Sequence, residues 1–408
     1  MRGPFGQREF RLLFLGRTTS FVGNAFANVA LAFAVLELTG SKADLGYVLA
    51  ARSVPQVLFL LAGGIWGDRL PRHRVMVGSN LASGLSQSAV AVLLLTGHAR
   101  IWQLAALAAL NGASSAFFFP ASTGIVPQTV PRPLLQSANA LLRLGLNASF
   151  IGGAALGGLV VGATSPGVGI AVDAGSFFLA AAFIGPMQMP ATLRMEGSSF
   201  VAELREGWRE FSSRTWLWAI VAQFAVVNAV EQGAEQVLGP PIAKAHLGGA
   251  AGWGLILTAG SLGLLAGGLV LLRLRFERPL LAATLGFFLT IPFLLALSIP
   301  GPLAVVAAAA ALAGIGIEVF SILWDTTLQQ EIAQEKLSRV SSYDALGSFV
   351  LTPLGLAAAG PVAQAAGTRE TMLGAAALSL GATLAVLLSR DVRTIRRRDD
   401  HAVSEPVP

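Results

Sequence analysis

Gly63-Gly64-Ile65-Trp66-Gly67-Asp68-Arg69-Leu70-Pro71-Arg72-His73-Arg74 joins two long apolar runs, residues 45–66 and 75–97. Runs so apolar belong in hydrocarbon, yet the first ends abruptly in one acid, three arginines and a histidine. A short basic turn between two such runs reads as a cytoplasmic hairpin joining two membrane helices, because arginines are favoured on that side and the backbone inside the bilayer has to be helical.

The rest of the chain agrees with that hairpin. Of 408 residues, 54% are hydrophobic and 12% are charged, about half the roughly 25% charge of a soluble domain. Apolar runs of bilayer length, about 20 residues, recur at 10–38, 45–66, 75–97, 101–126, 135–163, 167–189, 215–243, 250–273, 279–299, 302–324, 339–364 and 369–389. The sequence thus predicts an all-α integral membrane protein of twelve helices. Arg17, Arg52 and Arg143 fall inside runs, and of the remaining Lys and Arg only Lys42, Arg100, Lys244 and Arg369 fall on the side away from the N-terminus. That bias predicts a multi-pass protein of the cytoplasmic membrane with both termini cytoplasmic. The basic N-terminus precedes a run too long for a signal-peptide core.

Several function classes drop out. With no cysteine there is no disulfide and no thiolate chemistry. His73, His98, His246 and His401 are scattered, so no metal site is expected. The net charge of +6 comes from arginines between apolar runs rather than from a basic stripe with aromatics, which argues against nucleic acid as a partner. No Gly-Lys-Ser or Gly-Lys-Thr loop occurs to bind ATP phosphates, and no nucleophile–base set suggests an enzyme. No cofactor is implied. The expected partners are a small-molecule substrate, protons and the lipid bilayer, and the chain is expected to act as a monomer.

The chain is also duplicated. Gly145 and Gly347 are 347 − 145 = 202 residues apart, and the same offset takes Gly112 to Gly314, Gly153 to Gly355 and Gly158 to Gly360. Ala62-Gly63-Gly64 recurs as Ala266-Gly267-Gly268, with Arg69 matched by Arg273, although Leu272 stands where the first copy has Asp68. Parallel repeats of this kind are a transporter feature. The expected organisation is an N-terminal six-helix half (1–190), an amphipathic linker (191–214), a C-terminal half (215–390) and a disordered cytoplasmic tail (391–408). In the linker Phe200, Leu204, Trp208 and Phe211 share one face, which predicts a helix lying at the membrane surface and tethering the halves.

Polar residues inside the runs are functional candidates, because charge in hydrocarbon is costly. Arg17, Ser20, Asn24 and Asn28 share a face of the first helix, and Asn228, Glu231, Gln232 and Glu235 share a face of the seventh. The tenth offers Glu318, Ser321 and Asp325; the fourth offers Asn111, Ser114, Ser115 and Ser122. Glu231, Glu235, Glu318 and Asp173 are the proton-coupling candidates. Glu231 and Glu235 also read as solvated acids of an outer vestibule, since Pro240-Pro241 follow closely, and Asp173 also reads as packing on a neighbour's polar group. Arg17, Asn24, Asn28, Asn111, Asn228 and Arg143 are the cavity and substrate candidates. Arg143 and Arg52 suit an ion pair with a membrane acid, an anionic substrate, or snorkelling to an interface. Asp344 could play a part similar to theirs, opposite the first half.

The turn at 63–74 resembles the loop between helices two and three of the major facilitator superfamily. Gly64, Asp68, Arg69, Arg72 and Arg74 fit that pattern, and Pro71 stands where the family usually has glycine. The resemblance implies two pseudo-symmetric six-helix halves, a cavity lined by helices one, four, seven and ten, and a latch in which Asp68 meets the N-terminus of helix eleven near Ser338 or Ser341. Arg69 and Arg72 would support the latch or pair with Glu331 or Glu335. Gly152-Gly153-Ala154-Ala155-Leu156-Gly157-Gly158 resembles the superfamily's antiporter signature. Gly153, Gly157 and Gly158 match as helix-packing glycines expected to bring the halves together, while Ala154 replaces the proline. Ala108 replaces the membrane arginine of the best-known drug/proton exporters. Asn111-Gly112 and Phe117-Phe118-Phe119-Pro120-Ala121 look more like the branch of macrolide and enterobactin exporters. The resemblance implies export of amphipathic drug-, macrolide- or siderophore-like molecules by proton antiport with alternating access. A proton-coupled importer of a small nutrient is the alternative.

Overall fold

The computed structural model describes residues 3–189, 200–274 and 276–396, without the side chains at 60–69, 132, 136, 200–204, 206, 272, 334, 335 and 337–339. No strand occurs among the described residues. The first six long helices are α1 (Arg8–Thr39), α2 (Lys42–Arg69), α3 (Arg72–Leu95), α4 (Ile101–Gly124), α5 (Leu135–Ala163) and α6 (Pro166–Ile184). A shorter helix, α7 (Phe200–Ser212), leads to α8 (Thr215–His246), α9 (Gly249–Arg273), α10 (Pro279–Ser298) and α11 (Leu303–Glu331). Then come α12 (Gln334–Phe349), α13 (Thr352–Ala366), α14 (Thr368–Leu388) and the short α15 (Arg390–Thr394). Among the described residues eleven spans are long and apolar enough to cross a bilayer, with α12 and α13 contributing jointly to one of them; α2, 28 residues long, adds a twelfth long helix. Side chains such as Leu58 and Leu388, 70% and 80% exposed, are at home only when the solvent is lipid.

Three interruptions precede prolines. Proline removes an amide donor and clashes with the carbonyl four residues back. Pro240 and Pro241 follow a π-helical turn at Gly233–Leu238 in α8. Pro292 lies four residues after Phe288, where α10 tightens into a 3-10 turn over Phe288–Thr290. Pro353 lies four residues after Phe349, the last residue of α12.

The duplication seen in glycine spacing is a duplication of helix crossings. Gly112 of α4 lies against the Arg52 carbonyl of α2, and Gly314 of α11 against the Gly260 carbonyl of α9. Gly153 of α5 lies on the Val22 carbonyl of α1, and Gly355 of α13 on the Ala229 carbonyl of α8. Gly158 crosses from α5 to Ala250 and Gly254 of α9, and Gly360 from α13 to Lys42 and Ala43 of α2. A methyl group at any of these sites would strike backbone. Helix association in lipid depends on such close approach, because no hydrophobic force drives it. The result is two pseudo-symmetric six-helix halves. They meet through α5 on α9 and α2 on α13, at the end away from the termini, where Lys42 Nζ also donates to Thr368 Oγ1 at 2.5 Å.

Several expectations about the ends need adjusting. The helix after α11 starts at Gln334, with Ala333 as its N-cap, so Ser338 and Ser341 lie inside α12 rather than at its start. The packing of Gly64 and the side chains of Asp68 and Arg69 lie outside what is described, although the α2 backbone runs as helix through Arg69. Arg72 Nη1 donates to the Gly124 carbonyl at the end of α4, a favoured place for a cation; Arg74 is exposed. The tail expected to be disordered from 391 begins as the helical turn α15, held by the fully buried Val392; residues 397–408 lie outside the described residues.

The amphipathic linker helix α7 is docked on the second half. Trp208 and Phe211 pack on Tyr343 of α12 with ring centroids 5.6 and 6.0 Å apart. Glu210 accepts from Lys336 Nζ at 2.9 Å and Arg214 Nη2 at 2.7 Å. The Lys336 hydrogen bond first, then Arg214, holds the Glu210 carboxyl below the usual carboxylate range. A carboxyl depressed on folding stabilises the docked state above its unfolded value, here 4.5, and that contribution disappears as pH falls through the lower folded value. Glu210→Gln is expected to cost about 1 kcal/mol at neutral pH, with the difference in thermal unfolding midpoint vanishing in acid.

Candidate functional site

Asn28 on α1 stands where three cavities meet. The first, about 280 Å³, is polar and lies between the halves: Asn28, Arg52, Ser53 and Gln56 face Gln232, Glu235 and Gln236. The second, about 290 Å³, runs from Phe150 and Ala154 into the second half and is walled by Ile256, Leu264, Phe293 and Ile317, with Asn28, Glu231, Glu235, Ser261 and Thr290 as its polar points. The third, about 220 Å³, lies in the first half among Asn24, Asn28, Arg52, Asn80 and Phe150. An amphipathic solute fits such a lining, since apolar walls accept its body and a few polar groups orient it.

Glu231 and Glu235 are brought to this cavity but aimed differently. Glu231 sits just before the π turn and accepts from the Ser379 hydroxyl of α14 at 2.8 Å and the Thr290 hydroxyl of α10 at 3.0 Å. Glu235 lies within the π turn and borders both the polar and the apolar cavity. A π turn re-aims side chains and recurs at functional sites. Neither acid is merely a solvated vestibule group: one is held by two hydroxyls and the other faces the opposite half.

Glu318 and Asp325 face a different partner. Arg143 of α5 lies 3.8 Å from Glu318 Oε1 and 3.6 Å from Asp325 Oδ2 of α11, so this triad reaches from one half to the other. Asp344 accepts from Trp324 Nε1 at 3.0 Å within the second half.

Asp173 is absent from the cavity lining. It is fully buried on α6, accepts from Gln87 Nε2 of α3 at 2.5 Å, and lies in the field of the half-buried Arg52. Asp173→Ala would leave the buried Gln87 amide unpaired and remove the acid whose field reaches Arg52, and a loss of about 2 kcal/mol is expected. Asp173→Asn should retain most of the stability; titration of helicity with a denaturing detergent measures both.

Other candidates are packed away. Arg17 Nη1 donates to the Ser122 carbonyl at 3.2 Å, and its guanidinium lies 5.6 Å from the Phe21 ring centre, so it braces α1 on α4. Asn111 is buried on α4, and Asn228 donates to the Ser348 carbonyl at 2.9 Å. Of the antiporter-like glycines, Gly158 faces the second half, whereas Gly153 and Gly157 face α1 of their own half. Thr290, Ser379 and Gln87 were not foreseen. Thr290 and Ser379 are isolated polar residues among apolar neighbours and Gln87 is one of several polar residues on α3; only their position beside an acid distinguishes them.

The chain matches the family described as transmembrane secretion effector over residues 2–407. It is 29% identical to the multidrug efflux pump Tap of Mycolicibacterium fortuitum, with 93% of each chain covered. It is 22% identical to macrolide efflux protein A of Streptococcus pyogenes, covering 85% of this chain and 87% of that one. The nucleoside transporter NupG superposes with a TM-score of 0.73 at 12% identity, over 93% of this chain and 98% of its own. A bacterial homolog of the human lysosomal transporter Spinster, inward-facing and occupied, gives a TM-score of 0.72 at 13% identity over 93% and 95%. The chain belongs to the transmembrane secretion effector family of the major facilitator superfamily, and is a membrane transporter rather than an enzyme.

Proposed function

We propose that the chain exports amphipathic small molecules across the cytoplasmic membrane in exchange for protons, by alternating access. The observation that carries this reading is the carboxyl pair of α8 at the cavity between the halves. Glu231 is held by two hydroxyls and Glu235 borders a polar and an apolar compartment. Carboxyls at such a place exchange protons as the cavity changes its access to water, and an amphipathic solute occupying the same space competes with that exchange. The names of the two efflux relatives support export over import.

The halves rock about the cavity. The glycine contacts of α5 with α9 and α2 with α13 close the end away from the termini, and the Arg143 triad closes the other end with Gly64, Asp68, Arg69, Arg72 and Arg74 of the α2–α3 turn. Both termini face the cytoplasm, in keeping with the arginine bias. Purified protein in liposomes with an imposed pH gradient tests the direction, with macrolides, dyes and siderophore-like compounds added while lumenal pH is followed. Antiport predicts that a transported compound dissipates the gradient as protons and compound cross in opposite senses. Movement of both in the same sense overturns the proposal in favour of an importer.

A further inference from the structure

A groove larger than any of the three central cavities lies on the outer face of the second half. There α8 and α14 meet through small residues: Ala219 and Ala222 on one wall, Ala382 and Ala385 on the other. The groove encloses about 560 Å³. Its floor is Gln223, whose amide donates to Thr383 Oγ1 at 3.0 Å and pins the two walls together.

The shape of the groove selects its occupant. It extends along α8 from Thr215 to Val226, eleven residues or about 16 Å at the helical rise. That is roughly half of a hydrocarbon layer about 30 Å thick, the depth of one leaflet. Apart from Gln223 the body is apolar, and the other polar groups gather at the mouth: Thr215 at the start of α8, then Ser389, Arg390 and Asp391 where α14 passes into α15. Arg390 lines the mouth and Arg393 and Arg396 are exposed on the segment that follows, against one acid, Asp391, among the described residues 389–396. No side chain caps the N-terminus of α8, so its amides and the positive end of its dipole add to the same field. An apolar slot one leaflet deep beneath a cationic, hydroxyl-bearing mouth complements a lipid with a negative headgroup.

We propose that this groove binds one acyl chain of an anionic glycerophospholipid from the leaflet nearest the termini, with its phosphate held by Arg390 and the hydroxyls of Thr215 and Ser389. The test is native mass spectrometry of the full chain in detergent, titrated with phosphatidylglycerol or with phosphatidylcholine of the same chains. Wild type is expected to retain one tightly held phosphatidylglycerol and to hold phosphatidylcholine more weakly. Arg390→Gln, an exposed change that leaves the packing intact, should weaken phosphatidylglycerol about tenfold, as expected for loss of one charged hydrogen bond, and leave phosphatidylcholine unchanged. Ala222→Phe, which fills the groove, should abolish retention of either lipid, whereas Leu384→Phe on the same lipid-facing surface outside the groove should not. Equal retention of the two lipids by wild type, or unchanged phosphatidylglycerol retention in Arg390→Gln, overturns the proposal. Neither readout involves transport, so the result stands apart from the exporter reading.

Discussion

Glu235→Gln is expected to stop proton-driven transport while leaving the protein folded. The side chain borders both the polar and the apolar cavity between the halves, and glutamine keeps its size while removing the exchangeable proton. A loss on the order of a hundredfold or more in gradient-driven flux is the scale set by removing a proton-transfer group. Exchange of labelled compound across liposomes without a gradient should survive, because it needs only the cavity and the rocking motion. Glu231→Gln should resemble it, since the amide Oε1 still accepts from Ser379 and Thr290, whose hydroxyls join α14 and α10 to α8 through this side chain. Glu231→Ala removes that acceptor, so its thermal unfolding midpoint should fall, whereas those of the two glutamine variants should not. If both glutamine variants still couple flux to the gradient at the wild-type rate, the proton is carried elsewhere, and the Arg143–Glu318–Asp325 triad becomes the next site to test.

Gly158→Val is expected to open the end of the molecule away from the termini. A Cβ at Gly158 would lie 2.7 Å from the Ala250 carbonyl oxygen and 2.9 Å from Gly254 Cα, all on backbone that cannot step aside without separating α5 from α9. Overpacking of this kind costs about 1–3 kcal/mol, enough to shift a two-state equilibrium by roughly 5- to 150-fold. The chain has no cysteine, so spin labels at Thr164→Cys and His246→Cys report this end without background. A longer, broader distance distribution and a large fall in flux are expected. Gly152→Val is the control: nothing lies within 4 Å of a Cβ there, so distance and flux should match wild type. An unchanged distance in Gly158→Val would mean that this crossing does not gate the cavity.

Much of the fold was legible because lipid imposes strong rules. An apolar run of bilayer length has to be a helix, arginines choose a side, and a glycine has to stand wherever two backbones touch. The offset of 202 residues therefore marks equivalent crossings in the sequence itself. The site was legible only in outline. A carboxyl in a membrane helix announces itself by its cost, so Glu231, Glu235, Glu318 and Asp173 all stood out. Their roles did not, because helical spacing placed Glu231 and Glu235 on one face and said nothing of the π turn that separates their directions. In the sequence Pro240-Pro241 suit a solvated vestibule; in the structure they follow the distortion that carries Glu235.

Helix number, internal duplication and the identity of the membrane acids were determined locally, by hydropathy and spacing along a single chain. Which acid meets which partner was decided only by tertiary packing. Asp173 is tied to Gln87 and lies in the field of Arg52, Glu318 and Asp325 share Arg143 from the other half, and Glu231 takes hydroxyls from α10 and α14. The physical reason is that charge in hydrocarbon has to be answered within a few ångströms, while the answering group lies as far away as 325 − 143 = 182 residues along the chain, as for Asp325 and Arg143. One strand of sequence records the cost of each buried charge, and the fold alone chooses the neighbour that offsets it.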